Sequence, residues 1–400
     1  MSEVLIDVTR LMDRFLKERL PTGVDRVSLA YLQHYGPRAR AVLRYAGGKF
    51  VYRRSESATL FEWLLGLGQV GKPWQTIYKG LVMGSRAQRV AGSFLFNTGH
   101  TGLEQAEYAS MLRQQRVRPL FMVHDLIPIT HPEYCRPADR AKHLARMRNA
   151  MGLASGIVCN SQATLEALST WCHKAGWHMP PAIAALLAPE LPTLAEAQPG
   201  PRPVAEPYFV FVSTIEPRKN HLMILQVWQR LVEKLGERAP RLVIIGQRGW
   251  ECDNVIAFLE RCESIKGFVT ELARCPDAQM LTYLQHAQAL LFPSFTEGFG
   301  MPVIEALAHG VPVIAGDLPV FREFAHDIPE YLDTMDALGW LRTIEAYAQP
   351  DGAQRLLQLA RLQGFRPPTW AQHFAKVDAL IERLEPRPPR PTTWAEPQHA

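Results

Sequence analysis

Four hundred residues, 47% hydrophobic and 21% charged, make a globular chain that is too long for one core and suits two α/β domains. No run of about eighteen uncharged apolar residues occurs, so no membrane-spanning helix is expected. The net charge of +5 is too mild to argue for nucleic acid, and fits an acidic ligand or an anionic membrane surface. The opening MSEVLIDVTRLMDRF carries Glu3, Asp7 and Asp13 and has no h-region of a secretory signal. Cys135, Cys159, Cys172, Cys252, Cys262 and Cys275 show no Cys-x-x-Cys spacing, so reduced thiols and no zinc site are expected.

In chain order, Val4–Val8 predicts a strand and Ser28–Tyr35 a helix, with a turn at Pro21–Gly23 between them. Residues 40–93 carry no clear motif. Within them, Trp74–Val90 is basic and partly amphipathic, and reads as a solvated helix or as an element lying on an anionic membrane. Phe94–Phe96 predicts a strand ending in Asn97-Thr98-Gly99-His100, and Leu120–Val123 one ending in His124-Asp125, with His131 and Glu133 in the following loop. A helix bearing Arg140, Lys142, Arg146 and Arg148 comes next, then a strand at Gly156–Cys159 closing on Asn160-Ser161. Polar groups at successive strand ends are how an open α/β sheet builds a cleft.

Residues 189–207, PELPTLAEAQPGPRPVAEP, hold six prolines and predict a linker between a first domain at 1–188 and a second at 208–368. Tyr208–Val212 opens the second domain as a strand, and a loop leads to an amphipathic helix at Leu222–Leu235. Arg218 and Lys219 stand at that helix's N-terminus, where two cations can reach one pyrophosphate. Arg241–Ile245 and Phe268–Thr270 predict strands, and Asp277–Ala289 a helix. Leu290–Phe292, a loop over Pro293–Met301, a helix at Val303–His309 and a strand at Val311–Ala315 form one βαβ unit. Its helix mouth offers free N–H groups to a phosphate. Glu305, one turn inside, can reach back and accept hydrogen bonds from a vicinal diol such as a ribose. Further helices are expected at Asp317–Glu323, Trp340–Ala348 and Ala353–Leu362. An amphipathic one follows at 369–385, with Trp370, Phe374, Val377, Leu380 and Ile381 on one side, and residues 386–400 read as a disordered tail.

EGFGMPVIEALAHGVPVIAGD resembles the nucleotide-sugar site of family 4 retaining glycosyltransferases, which have the GT-B fold of two Rossmann-like domains facing across a cleft. The resemblance implies that Glu297 and Glu305 are that family's paired glutamates, with Glu297 on the donor sugar and Glu305 on the ribose. Gly298, Phe299, Gly300, Met301 and Pro302 would complete the donor site, with the nucleobase near Val269 and Thr270. HDLIP followed by HPEY resembles the segment whose histidine faces the donor sugar, which implies that role for His124. Asp125, His131, Glu133 and Asn97 stand as candidate acceptor contacts. Gly23 matches the family's glycine loop only in part, because a second glycine is missing. Lys219 matches a family lysine. Thr214 stands where the family has an arginine, a role open to Arg218. His124, Glu297, Lys219 and Arg218 are thus the expected catalytic set.

The resemblance further implies a nucleotide-sugar donor and a glycan or lipid-linked glycan acceptor. The IEPRKN and HDLIP segments look most like enzymes of bacterial surface-polysaccharide assembly, which favours GDP-mannose over UDP-sugars. No Asp-x-Asp lies where a metal–diphosphate site would need it, so no cofactor and no essential metal are expected. The expected place of work is the cytoplasm, with peripheral contact at the inner face of the cell membrane left open. A nucleotide-sugar epimerase or phosphorylase-like enzyme and a non-catalytic scaffold subunit are the alternatives. By analogy with the family, helix 369–385 should cross back to the first domain.

Overall fold

A computed structural model describes residues 3–18, 21–45, 48–67, 90–190, 200–349 and 351–385. Most of the basic stretch at 74–90, the middle of the proline-rich linker and the tail from 386 lie outside the described residues.

The apolar runs form two sheets. The first contains β1 (Val4–Asp7), β2 (Ala39–Tyr45), β3 (Gly48–Val51), β4 (Phe94–Asn97), β5 (Arg118–Val123), β6 (Gly156–Cys159) and β7 (Ala182–Ala184). Their order is β3-β2-β1-β4-β5-β6-β7, and only the β2–β3 pair is antiparallel. The second contains β8 (Tyr208–Val212), β9 (Arg241–Ile245), β10 (Val269–Leu272), β11 (Leu290–Phe292), β12 (Val313–Gly316) and β13 (Glu330–Leu332). Its order is β10-β9-β8-β11-β12-β13, parallel throughout. Both orders are doubly wound. The direction of winding reverses between β1 and β4 and again between β8 and β11, and the carboxyl ends beside such reversals are where these sheets open a crevice.

Strands covered by helices on both faces have to be apolar on both. In β8, Phe209 and Phe211 face Trp228 and Trp340, whereas Tyr208 and Val210 face the other way, towards Leu284 and Val303. That second cluster continues through Leu187 and Phe374 into the core around Tyr31 and Phe96, so one apolar body joins the two sheets.

The helix Trp370–Leu384 closes this join. Its start is fixed by a reciprocal cap: Thr369 Oγ1 accepts from Gln372 N, and Gln372 Oε1 accepts from Thr369 N. The helix rests on β6 and β7, where Gly156 leaves room for Leu380 and Leu384; a methyl there would stand 3.2 and 3.0 Å from them. His373 Nδ1 lies 3.2 Å from Ala185 O and 3.1 Å from Leu186 O, so it carries the proton and Nε2 accepts from Tyr31 Oη at 2.9 Å. Burial pushes this imidazole down to about 4, against the pull of the two carbonyls, which keeps it neutral.

Several elements differ from the sequence reading. A helix at Thr9–Leu16 precedes the expected one, which itself begins at Gly23 because the Asp25 carboxylate accepts from Thr22 N and Oγ1 and fixes the start. Gly23 is therefore the first helical residue and not part of a turn. β2 and β3 arise from the stretch without a motif. The helix at Asp277 ends at Gln285, and β12 starts only after Pro312, which has no N–H to give to a ladder. The six cysteines are free thiols. Among the described residues, no helix is long and apolar enough to cross a membrane.

Leu380→Ala should empty a fully buried position between the crossing helix and β6 and cost about 2–5 kcal/mol, read as a lower urea midpoint; an unchanged midpoint would mean that the helix does not bear on this core.

Candidate active site

Two loops leave the second sheet at its reversal point. From β8 the chain runs through Ser213 and Thr214 to a 3₁₀ turn at Pro217–Lys219, and Asn220 at φ 61° turns it into the helix His221–Leu235. From β11 it runs through Glu297 to Gly300, where the helix Met301–Ala308 begins. Gly300 has φ 101°, and a methyl there would lie 2.5 Å from the Phe321 ring, so both conformation and space call for glycine. Phe295 N donates to Arg218 O at 2.9 Å and ties the loops together.

Their charged side chains meet at Glu297. Its Oε1 lies 2.5 Å from Lys219 Nζ and its Oε2 2.7 Å from Arg218 Nη1, while Arg218 Nη2 reaches Glu216 Oε1 at 2.5 Å. Lys219, Glu216 and Glu297 are all buried or nearly so. Burial alone would raise the Glu297 carboxyl, but Arg218 and Lys219 outweigh it and hold the group down at about 2. Two cations and two carboxylates balance there, an arrangement in which an entering anion would compete with Glu297 for Lys219 and Arg218.

Glu305 is buried one turn into the same helix. Burial, with Asp277 and Glu190 nearby, pushes it up to about 7 against the pull of Arg26 and of the Glu190 N–H. Glu190 is likewise raised to about 7 by burial, against Arg26 and a hydrogen bond from Trp370. Arg26 comes from the first domain and bridges to Asp277 of the second at 2.6 Å. Beside them, a methyl at Gly23 would stand 3.8 Å from Met301, so the two walls touch here.

Opposite, at the end of β5, His124 Nε2 donates to Thr98 O at 2.7 Å, and burial lowers its pKa, leaving a neutral ring. Asp125 Oδ1 accepts from Ile127 N at 3.0 Å. Gly298 sits directly on these two residues, and a side chain there would collide with the His124 carbonyl. Ser161 Oγ and Thr164 Oγ1 each approach Gly298 O at 3.3 Å. Glu323 accepts from Gln162 N and Ala163 N, capping a first-domain helix from the second domain. A cavity of about 300 Å³ remains beside His124, walled by Arg10, Asp125, Lys142 and Arg146 on one side and by Arg218 and Trp250 on the other.

The remaining expected residues are placed as follows. Phe299 is buried against Phe324, with ring centroids 5.0 Å apart. Pro302 is the second residue of the helix. Asn97 is buried with Nδ2 on Thr101 O and Tyr108 Oη, and it does not line the cavity. His131 stacks on Tyr134, whose other neighbour is Phe295 with ring planes 2° apart; Glu133 is exposed. Val269 and Thr270 lie on β10, an edge strand. Arg10, Arg26, Glu190 and Trp250 lie beside these residues and carry no local motif, whereas Glu216 falls within IEPRKN. Only the position of Arg10, just past the end of β1, would have drawn attention to it. Among the described residues, no three His, Cys, Asp or Glu side chains come together as a metal site.

Residues 195–328 match the family described as Glycosyl transferases group 1. That match covers about a third of the chain and lies mostly within the second domain. The serotype-specific mannosyltransferase WbdA of Escherichia coli is 26% identical over 274 residues, covering 63% of this chain and 33% of that protein. The O-antigen chain mannosyltransferase B of Escherichia coli is 35% identical over 129 residues, 32% of this chain and 33% of that protein. The chain thus spans about a third of the length of these curated relatives. Anabaena HepE, solved with UDP and glucose, superposes with a TM-score of 0.65 at 14% identity, covering 96% of this chain and all of that one. TarM of S. aureus gives 0.54 at 12% identity over 83% of this chain and 61% of that one. The fold is therefore GT-B, as the sequence resemblance implied.

The carboxyls at the wall contact make stability depend on pH. A carboxyl raised in the fold favours its protonated form there, so its contribution is full below the unfolded value near 4.5 and is lost as pH rises through about 7. Melting temperature should fall between pH 5 and 8 by less in Glu305→Gln, and least when Glu190→Gln is added, whereas parallel profiles for all three proteins would remove these groups as the cause.

Proposed function

We propose that the chain is a retaining glycosyltransferase that moves a hexose from a nucleotide-diphosphate sugar to a glycan or lipid-linked glycan acceptor in polysaccharide assembly. The observation that carries this reading is the convergence of Lys219, Arg218 and Glu297 at the reversal point of the second sheet, with His124 across the cleft. GDP-mannose is the favoured donor, since the relatives above are named mannosyltransferases. The reading places the work in the cytoplasm, with membrane contact at the inner face left to experiment.

In this reading the ribose hydroxyls bind Glu305, and the diphosphate enters at the mouth of the helix Met301–Ala308. Its charge grows as the glycosidic bond breaks, and Lys219 and Arg218 stabilise it most strongly at that moment. Glu297, released in part from the two cations, accepts from the donor-sugar hydroxyls. The neutral His124 faces the sugar, and no strong base is required when the departing phosphate leads the reaction. Two protein cations at the diphosphate take the place that a metal ion fills elsewhere, so no essential metal is part of the reading.

Donor screening should release GDP from GDP-mannose only when a glycan acceptor is added, with no change in the presence of EDTA. Release without acceptor, or a change at the sugar alone, would favour an epimerase or hydrolase, and nucleotide binding without release a scaffold. Lys219→Ala should lower kcat about 10²–10³-fold while acceptor KM moves little. A change confined to acceptor KM would assign Lys219 to another site. Glu305→Ala should weaken nucleoside diphosphate binding by about 1–3 kcal/mol, and unchanged calorimetric affinity would remove its ribose role.

A further inference from the structure

The cavity beside His124 has a wall that the donor does not occupy. Lys219, Glu297, Gly300 and Glu305 do not line it, and of the cations assigned to the donor diphosphate only Arg218 does. Asp139, Lys142, His143 and Arg146 do, spaced three, four and seven residues apart on one face of the helix Asp139–Leu153. Arg10, from the helix at Thr9–Leu16, joins them.

Each arginine is anchored through Nε, Arg146 to Glu104 at 3.0 Å and Arg10 to Asp25 at 2.7 Å, and Arg10 Nη2 also reaches Thr22 Oγ1 at 3.4 Å. This fixes the planes of both guanidinium groups. Nη1 of Arg10 and both terminal nitrogens of Arg146 then have no hydrogen-bond partner among the described residues. Lys142 stands 3.4 Å from Glu104 and is half exposed. The histidines add no charge: His143 Nε2 donates to Asp125 O at 3.2 Å, His100 Nε2 to Met122 O, and burial lowers the pKa of each. Of the lining carboxylates, Asp125 already accepts an amide and Asp139 stands at the first turn of its helix. Guanidinium ends held in place with donors to spare are made for an oxyanion, because little side-chain freedom is lost when it binds.

We infer that this wall is an oxyanion subsite of the acceptor pocket. The acceptor saccharide carries a phosphate ester or a carboxylate that seats on Arg10, Lys142 and Arg146 and presents its reacting hydroxyl towards His124. The inference rests on the glycosyltransferase reading and names the chemical class of its acceptor.

The test uses the full chain saturated with GDP and calorimetric titration of methyl α-mannoside, mannose 6-phosphate and methyl glucuronide. At least one anionic probe should bind about tenfold or more tightly than the neutral one, with an advantage that shrinks as salt is raised. Which anionic probe wins identifies the source of the oxyanion. Arg146→Gln, which leaves Glu104 paired with Lys142, should cut the advantage about tenfold, and GDP affinity reports that the donor half is intact. No preference for either anionic probe, including no binding by any of the three, overturns the inference, as does an advantage untouched in Arg146→Gln. Failure of GDP itself to bind falls on the glycosyltransferase reading instead.

Discussion

A carboxylate held between two cations in a dry place is the constraint around which the second domain is arranged. Burying Glu297 with Lys219 and Arg218 costs desolvation that their mutual attraction offsets only if the geometry is right, and removing one partner of such a cluster typically costs about 3–5 kcal/mol. The geometry is supplied by backbone: the Phe295–Arg218 hydrogen bond joins the two loops, and the αL turn at Asn220 aims the 3₁₀ turn that carries both cations. A hydrophobic cluster of the same volume would be cheaper to fold. In the proposed reading ions take its place because the site meets an anion with charges already oriented.

The same economy of orientation explains how the halves are joined. Gly298 rests on the His124 backbone, Glu323 caps the first-domain helix at Gln162, and the helix Trp370–Leu384 returns to cover β6 and β7. These contacts set the distance between the loop of Glu297 and His124 through main-chain packing, which deforms little. The apolar body that runs through Leu187 and Phe374 makes the junction part of a core and more than a hinge of convenience.

Much of this was legible in the sequence wherever a pattern is local. The strands at 156–159, 208–212, 241–245 and 290–292 are continuous apolar runs bounded by polar or glycine-rich turns, and they occupy those residues in the fold. The βαβ unit around Glu297 and Glu305 was visible because glycines and strands fall in fixed spacing. β2 and β3 were not, since their register depends on pairing with β1 and on each other, which no local window contains. The site divides in the same way. Glu297, Glu305, Lys219 and His124 sit at strand or helix ends that the pattern marks, while Arg26, Glu190 and Trp250 acquire meaning only when the second sheet is set against the first.

The contact of Arg26 with Asp277, beside Gly23 and Met301, has a kinetic meaning. Arg26 and Asp277 stand near Glu305, which is buried in this arrangement, so in the proposed reading a nucleotide that reaches Glu305 enters before the contact forms and leaves after it breaks. In that reading each turnover contains a parting and a rejoining of the walls. On the same reading bond breaking falls between two mechanical events, and the spent nucleotide departs on the timescale of that parting.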